Sequence, residues 1–134
     1  MNRRLWLASL SGLGVLALPG LAVAESVTEE CGESCEECQE ACLACVDHCI
    51  DLLAEGKAMK DCLKTCLDCA DVCDACSKVC SRKGPSATII SAACAAVCER
   101  CAAECAMHKE DKVMSKCAEE CRKCAKECKA MAGK

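Results

Sequence analysis

Residues 31–49 read CGESCEECQEACLACVDHC. Cysteine falls at 31, 35, 38, 42, 45 and 49, in steps of 4, 3, 4, 3 and 4. That is the a/d alternation of a coiled-coil seam, with thiols where leucine ordinarily sits. On a helix the six side chains form one stripe on one face. An inner face of sulfur points to a chain built around a soft ligand.

The same rhythm recurs downstream. Cys62, Cys66, Cys69, Cys73, Cys76 and Cys80 repeat the six-residue pattern. Cys94, Cys98, Cys101 and Cys105 form a shorter stripe, and Cys117, Cys121, Cys124 and Cys128 another. A long hairpin is thus followed by a short one, like an internal duplication with an abbreviated second half. Short connections make successive helices antiparallel. The expectation is an all-α fold, an antiparallel up-down-up-down four-helix bundle with a cysteine-lined core. It occupies residues 25–134, with helices over about 26–54, 57–82, 86–109 and 111–131. Ser26 and Glu29 have capping-box spacing for the first helix, although Gly32 weakens its first turn. Gly56 is the expected stop, Gly84-Pro85 the clearest break, and Asp111 the cap of the last helix. Each long stripe would run about 27 Å.

Composition agrees with this economy. The chain has 134 residues, twenty of them cysteine, and Trp6 is its only aromatic residue. A core of thiols without large side chains leaves the metal-free fold marginal, so that whatever the thiols bind supplies folding free energy. The net charge is −4, with Glu36, Glu37, Glu40, Asp68, Asp71 and Asp74 on outer faces. No basic patch with interleaved aromatics is present, which argues against a nucleic-acid partner. Two histidines, no nucleophile–base constellation and no glycine-rich phosphate loop argue against an enzyme.

Residues 1–24 read MNRRLWLASLSGLGVLALPGLAVA. A basic start, an apolar run and Ala22-Val23-Ala24 before Glu25 give the expectation of a cleaved signal peptide, with no membrane attachment afterwards. Arg3-Arg4 adds the expectation of twin-arginine export to the periplasm, a route by which a thiol-rich protein folds or loads metal before meeting an oxidising compartment.

Four fates of the sulfur compete. Disulfides are ordinary in an exported protein, but side chains at i and i+4 stand roughly 5–6 Å apart at Cβ and a disulfide wants about 3.8 Å. Bridges would have to run between helices, and filling every layer with matched partners is demanding. Thiolates otherwise select Cu(I), zinc or iron–sulfur clusters. Twenty thiolates with twenty Cu(I) sum to zero charge, whereas about five tetrahedral Zn2+ would leave about ten uncompensated negative charges in a narrow bundle. Cluster motifs place cysteines in irregular loops rather than on regular stripes. Multiple Cu(I) ions, on the order of one per cysteine, rank first, followed by disulfides, zinc and clusters. Two-coordinate Cu(I) wants its sulfurs about 4.6 Å apart, twice a metal–sulfur bond of about 2.3 Å, and each CxxxC can reach that distance.

The stripes end in other soft ligands. Met59, His108 and Met114 each lie three residues beyond a terminal cysteine and in phase, and His48 flanks Cys49. All four fall at the end of the bundle holding the first and third loops, as ligands of a mouth through which copper passes. Core filling is the alternative for the methionines, and solvated helix-end residues for the histidines. Met107 is out of phase, and Met131 is in phase at the far end.

The repeated C-x3-C-x2-C-x3-C runs, the twin-arginine-like leader and the His/Met end resemble the bacterial copper storage proteins of the exported type. The resemblance covers essentially the whole chain after the leader. It implies a four-helix bundle that fills with Cu(I) held by paired cysteines and assembles as a homotetramer. It also implies a reserve that passes copper to a cuproenzyme or chaperone. Cys31 through Cys128 would be the storage ligands. Twenty cysteines is high for an exported member and nearer the cytosolic branch. Leu43, Ile50 and Leu67 face outward in this phasing and are candidates for the oligomer surface.

Overall fold

The four stripes lie on four helices: α1 Pro19–Ala54, α2 Lys60–Ser81, α3 Ala87–Ala106 and α4 Lys112–Ala132. These come from a computed structural model that describes the backbone of residues 19–134 and the side chains of residues 26–134. Among the described residues there is no strand. Helix α1 packs against α2 and α4, and α3 against α4 and α2, so the chain closes an antiparallel four-membered ring around one axis. No helix among the described residues is long and apolar enough to cross a membrane.

Helix α1 is already formed at Pro19, the first described residue, well upstream of Ser26. Ser26 is therefore inside the helix, and its hydroxyl donates to Glu30 Oε1 at 3.2 Å instead of capping with Glu29. Gly32 sits mid-helix and buried, so Cys31 is within a continuous helix and joins the core. The arginine pair and most of the apolar run fall in residues 1–18, outside the described residues. Ala22, Val23 and Ala24 are helical and continuous with α1.

The helix ends follow local chemistry. Gly56, at φ 84°, takes the left-handed position after α1. The Lys57 N–H then reaches the Leu52 carbonyl at 3.0 Å and the Gly56 N–H that of Leu53 at 2.9 Å, a Schellman closure. After α2 the left-handed residue is Lys83, at φ 52°, and Gly84 takes the following position, its N–H on the Val79 carbonyl at 2.9 Å. Asp111 caps α4, its carboxylate accepting from the Met114 N–H at 3.0 Å.

The core is sulfur. All twenty cysteines are between 0 and 1% exposed, so water is excluded along the whole axis. Ala70, Ala95, Ala102, Ala118 and Ala125 each follow a cysteine and are buried. These small flanks let the backbones approach closely enough for sulfurs of different helices to touch. Outside, Lys123 pairs with Glu37 and Lys129 with Glu99 across helices. Such exposed pairs add at most about 1 kcal/mol each. Leu43, Ile50 and Leu67 are exposed on the outer surface.

Candidate metal centre

Each stripe meets its neighbours at the axis, and the sulfurs form one continuous lattice. In the middle, Cys38 Sγ lies 3.6 Å from Cys121, 3.9 Å from Cys98 and 4.0 Å from Cys69. Cys69 stands 3.8 Å from Cys98, which completes a ring with one thiol from each helix. Towards the loop end, Cys42 is 3.8 Å from Cys117, and Cys66 is 3.7 Å from Cys105. Towards the other end, Cys35 is 3.6 Å from Cys128, and Cys31 is 3.4 Å from Cys128. Within helices, Cys69–Cys73, Cys94–Cys98 and Cys124–Cys128 lie 4.0, 3.9 and 3.8 Å apart.

All twenty cysteines are free thiols. Even Cys31 and Cys128, at 3.4 Å, are far from a disulfide bond length of about 2.05 Å. The sulfurs gather instead into quartets such as Cys38–Cys42–Cys69–Cys121 and Cys42–Cys101–Cys117–Cys121, with all ligand atoms within 4.8 Å of one another. Successive quartets share members, so a soft cation bound at one place has its next ligands already in contact.

Protons hold the empty lattice together. The contacts with Cys101 and Cys117 favour the protonated Cys42 thiol and raise its pKa. Cys117, accepting from Cys101 and Cys105, is held down. Cys101, accepting from Cys105 and Cys42 while donating to Cys117, lies between them at about 6. At the lattice's edge, burial dominates: it pushes Cys49 up to about 12, with Cys62 adding to the rise, and it raises Cys80 likewise.

The sign of the Cys49 shift sets a pH dependence. A pKa raised from 9.0 to about 12 means the fold favours the thiol, so its stabilisation is complete below pH 9 and is lost as pH climbs from 9 towards 12. The metal-free protein is therefore expected to lose thermal stability steeply in that window, by circular dichroism melts. A flat profile above pH 9 would show that these thiols are not held protonated by the fold.

The methionines and histidines expected as mouth ligands lie at the end formed by the 55–59 and 107–111 loops. Met114 is fully buried, in the first turn of α4. Met59 is half-buried against the core at the start of α2. His108 is half-buried in the third loop, and Met107 is exposed. His48 Nε2 lies 2.5 Å from Asp111 Oδ2. Position and phase are visible in the sequence; the His48–Asp111 pairing is not, since it depends on how α1 is rotated against α4.

The opposite end holds a residue that a cysteine count passes over. Ser91, three residues before Cys94, occupies a stripe position and is fully buried. Its hydroxyl lies 3.6 Å from Cys31 Sγ and 3.7 Å from both Cys76 and Cys80. Buried Ala87 and Met131 complete that end, and Thr28 donates to Met131 Sδ at 3.4 Å. Extending the α3 stripe backwards finds Ser91 in the sequence, once a non-sulfur residue is admitted.

A family model described as Csp, copper storage protein, matches residues 24–133. Among solved structures, the chain is similar to a cytosolic copper storage protein from Streptomyces lividans carrying five coppers, with 34% identity and a TM-score of 0.77 over 84% of this chain and 98% of that one. A Streptomyces lividans copper storage protein loaded with 10 copper equivalents matches at 35% identity and TM-score 0.74, over 81% of this chain and 85% of that one. The Cu(I)-bound copper storage protein 3 of Bacillus subtilis matches at 31% identity and TM-score 0.72, over 79% and 98% respectively. Among curated proteins, none matches. One expectation is corrected here. Export to the periplasm, read from residues 1–24, is overturned by the first of these relatives, which is cytosolic. The apolar run and small-residue tripeptide that suggested a leader are, from Pro19 onwards, the opening turns of α1, where backbone groups are engaged in the helix.

Proposed function

Because this chain belongs to the copper storage protein family, we propose that it binds and holds many Cu(I) ions through its inward-facing cysteines. The carrying observation is the unbroken sulfur lattice, with quartets whose atoms all lie within 4.8 Å of one another. The ligands in this reading are the twenty cysteines, Cys31 through Cys128, with Met59, His108, Met114 and His48 serving the mouth.

The geometry supports monovalent cargo. Each Cu(I) that enters displaces a proton shared between thiols and cancels the charge of the thiolate it leaves behind, so the dry interior stays neutral as it fills. Sulfurs now 3.8–4.0 Å apart along a helix separate by less than 1 Å to reach the roughly 4.6 Å of a linear S–Cu–S unit. A χ1 adjustment achieves that without moving a helix. Shared quartet members then let an ion step inwards by exchanging one thiolate at a time.

The partners in this reading are copper ions, an acceptor that removes them, and further copies of the chain meeting through Leu43, Ile50 and Leu67. An anaerobic titration of the reduced chain with Cu(I), read against a coloured chelator, tests the function. Uptake on the order of one ion per cysteine is expected. Uptake of one or two ions would return the cysteines to a structural role.

A further inference from the structure

One carboxylate at the mouth serves two helices. Asp111 Oδ1 accepts the Met114 N–H at 3.0 Å and caps α4. Its Oδ2 lies 2.5 Å from His48 Nε2, across the α1–α4 seam. Both groups are shielded, with side chains 28 and 24% exposed. Both oxygens are engaged, one by the Met114 N–H and the other by the His48 ring, and a carboxylate can only accept. The proton between the two side chains therefore sits on Nε2. A neutral imidazole protonated there keeps its lone pair on Nδ1.

That is the arrangement by which carboxylates orient metal-binding imidazoles, fixing the tautomer and strengthening the remaining nitrogen as a ligand. A histidine merely solvated at a helix end would need no partner sixty-three positions away. His48 is off the cysteine stripe by one residue, and the pairing explains how it can still serve the mouth. We propose that Asp111 is the positioning residue of the mouth: it holds His48 in the Nε2–H form, with Nδ1 available to arriving Cu(I), while its other oxygen fixes the helix turn that buries Met114. One side chain thereby sets a nitrogen ligand from α1 and a thioether from α4 in register. This rests on the storage reading above and adds to it how copper is received.

Asp111→Asn separates positioning from capping. Asparagine caps a helix about as well as aspartate, so its amide oxygen keeps the Met114 N–H. The amide NH2 then faces Nε2, which must accept, and the proton moves to Nδ1. Two-bond 1H–15N spectra of the metal-free chain should show His48 as Nε2–H in the parent and Nδ1–H in the variant. Cu(I) uptake from a chelate should slow about 10- to 100-fold, to the rate of His48→Ala, with the thermal midpoint unmoved. Asp111→Ala should slow uptake and also lower the midpoint. Parent-like uptake in Asp111→Asn, or an Nδ1–H signal in the parent, would overturn the proposal and leave Asp111 as a cap alone. The spectra need no copper, so failure of the storage reading would show separately, as lost capacity in the parent chain.

Discussion

Filling the reduced chain with Cu(I) should raise its thermal midpoint by tens of degrees. The metal-free core explains why. Beyond Trp6 the chain has no aromatic residue, and among the described residues the largest fully buried side chain is Met114, with cysteines next in size. A buried thiol behaves as a small hydrophobe with a weak S–H donor, so the empty bundle gains little from each interior position. Copper replaces those weak contacts with metal–sulfur bonds that exist only in the folded chain. A site held at a thousandfold excess over its dissociation constant adds about 4 kcal/mol. A domain of this size gains roughly 2–8 °C for each kcal/mol. Even about five such sites would carry the midpoint up by tens of degrees. Paired melts of empty and loaded protein by circular dichroism give the comparison. Coincident midpoints would mean that copper binds without cross-linking the helices, which would place it on the surface and not in the lattice.

Removing the middle ring should divide the lattice in two. Cys38, Cys69, Cys98 and Cys121 come one from each helix and meet at 3.6–4.0 Å. Replacing all four with alanine deletes a complete layer of ligands while leaving helix propensity high. Capacity should fall by about four ions, one per thiol lost. Kinetics should change more. Ions arriving at the end that carries Met59 and Met114 reach the Cys42–Cys117 side directly, whereas the Cys35–Cys128 side lies beyond the gap. Stopped-flow uptake should therefore split into a fast phase and one slower by an order of magnitude or more. The helical signal should persist, since each truncation leaves only a methyl-sized void costing about 1 kcal/mol. Single-phase loading of all remaining sites would show that copper also passes between helices from the side.

The stripe of Cys31 to Cys49 determined most of what could be read in advance. A 4-3-4 spacing leaves one helix face to bury, and four such faces leave one common axis, so the bundle and its sulfur interior follow from residue positions alone. The helix ends were less legible because local signals compete. Helix α1 runs straight through Ser26 and Glu29 despite their capping spacing, whereas the Gly84-Pro85 break does separate α2 from α3, with Lys83 taking the left-handed turn beside it. The mouth was half legible. Phase places Met59, His108 and Met114, but a tie such as His48 to Asp111 depends on the rotation between helices, which no repeat specifies. The reading of residues 1–24 as an export signal rested on a basic start, an apolar run and Ala22-Val23-Ala24, and those three small residues suit the opening turns of a long helix as well as a cleavage site.

Ser91 gives the lattice a direction. At a position shaped for a thiol, with three sulfurs already around it, the chain has put an oxygen that a soft cation passes over. One end of the axis thus finishes in methionine and histidine, and the other in a hydroxyl, a methyl group and a thioether engaged by Thr28. On the proposed storage reading the molecule would be a bottle, not a pipe: whatever settled at the floor first would be the last to leave, and the ions nearest the neck would be the ones in circulation. Its contents would then divide into a standing deposit and a working balance, set by a single oxygen atom where sulfur would have continued the column.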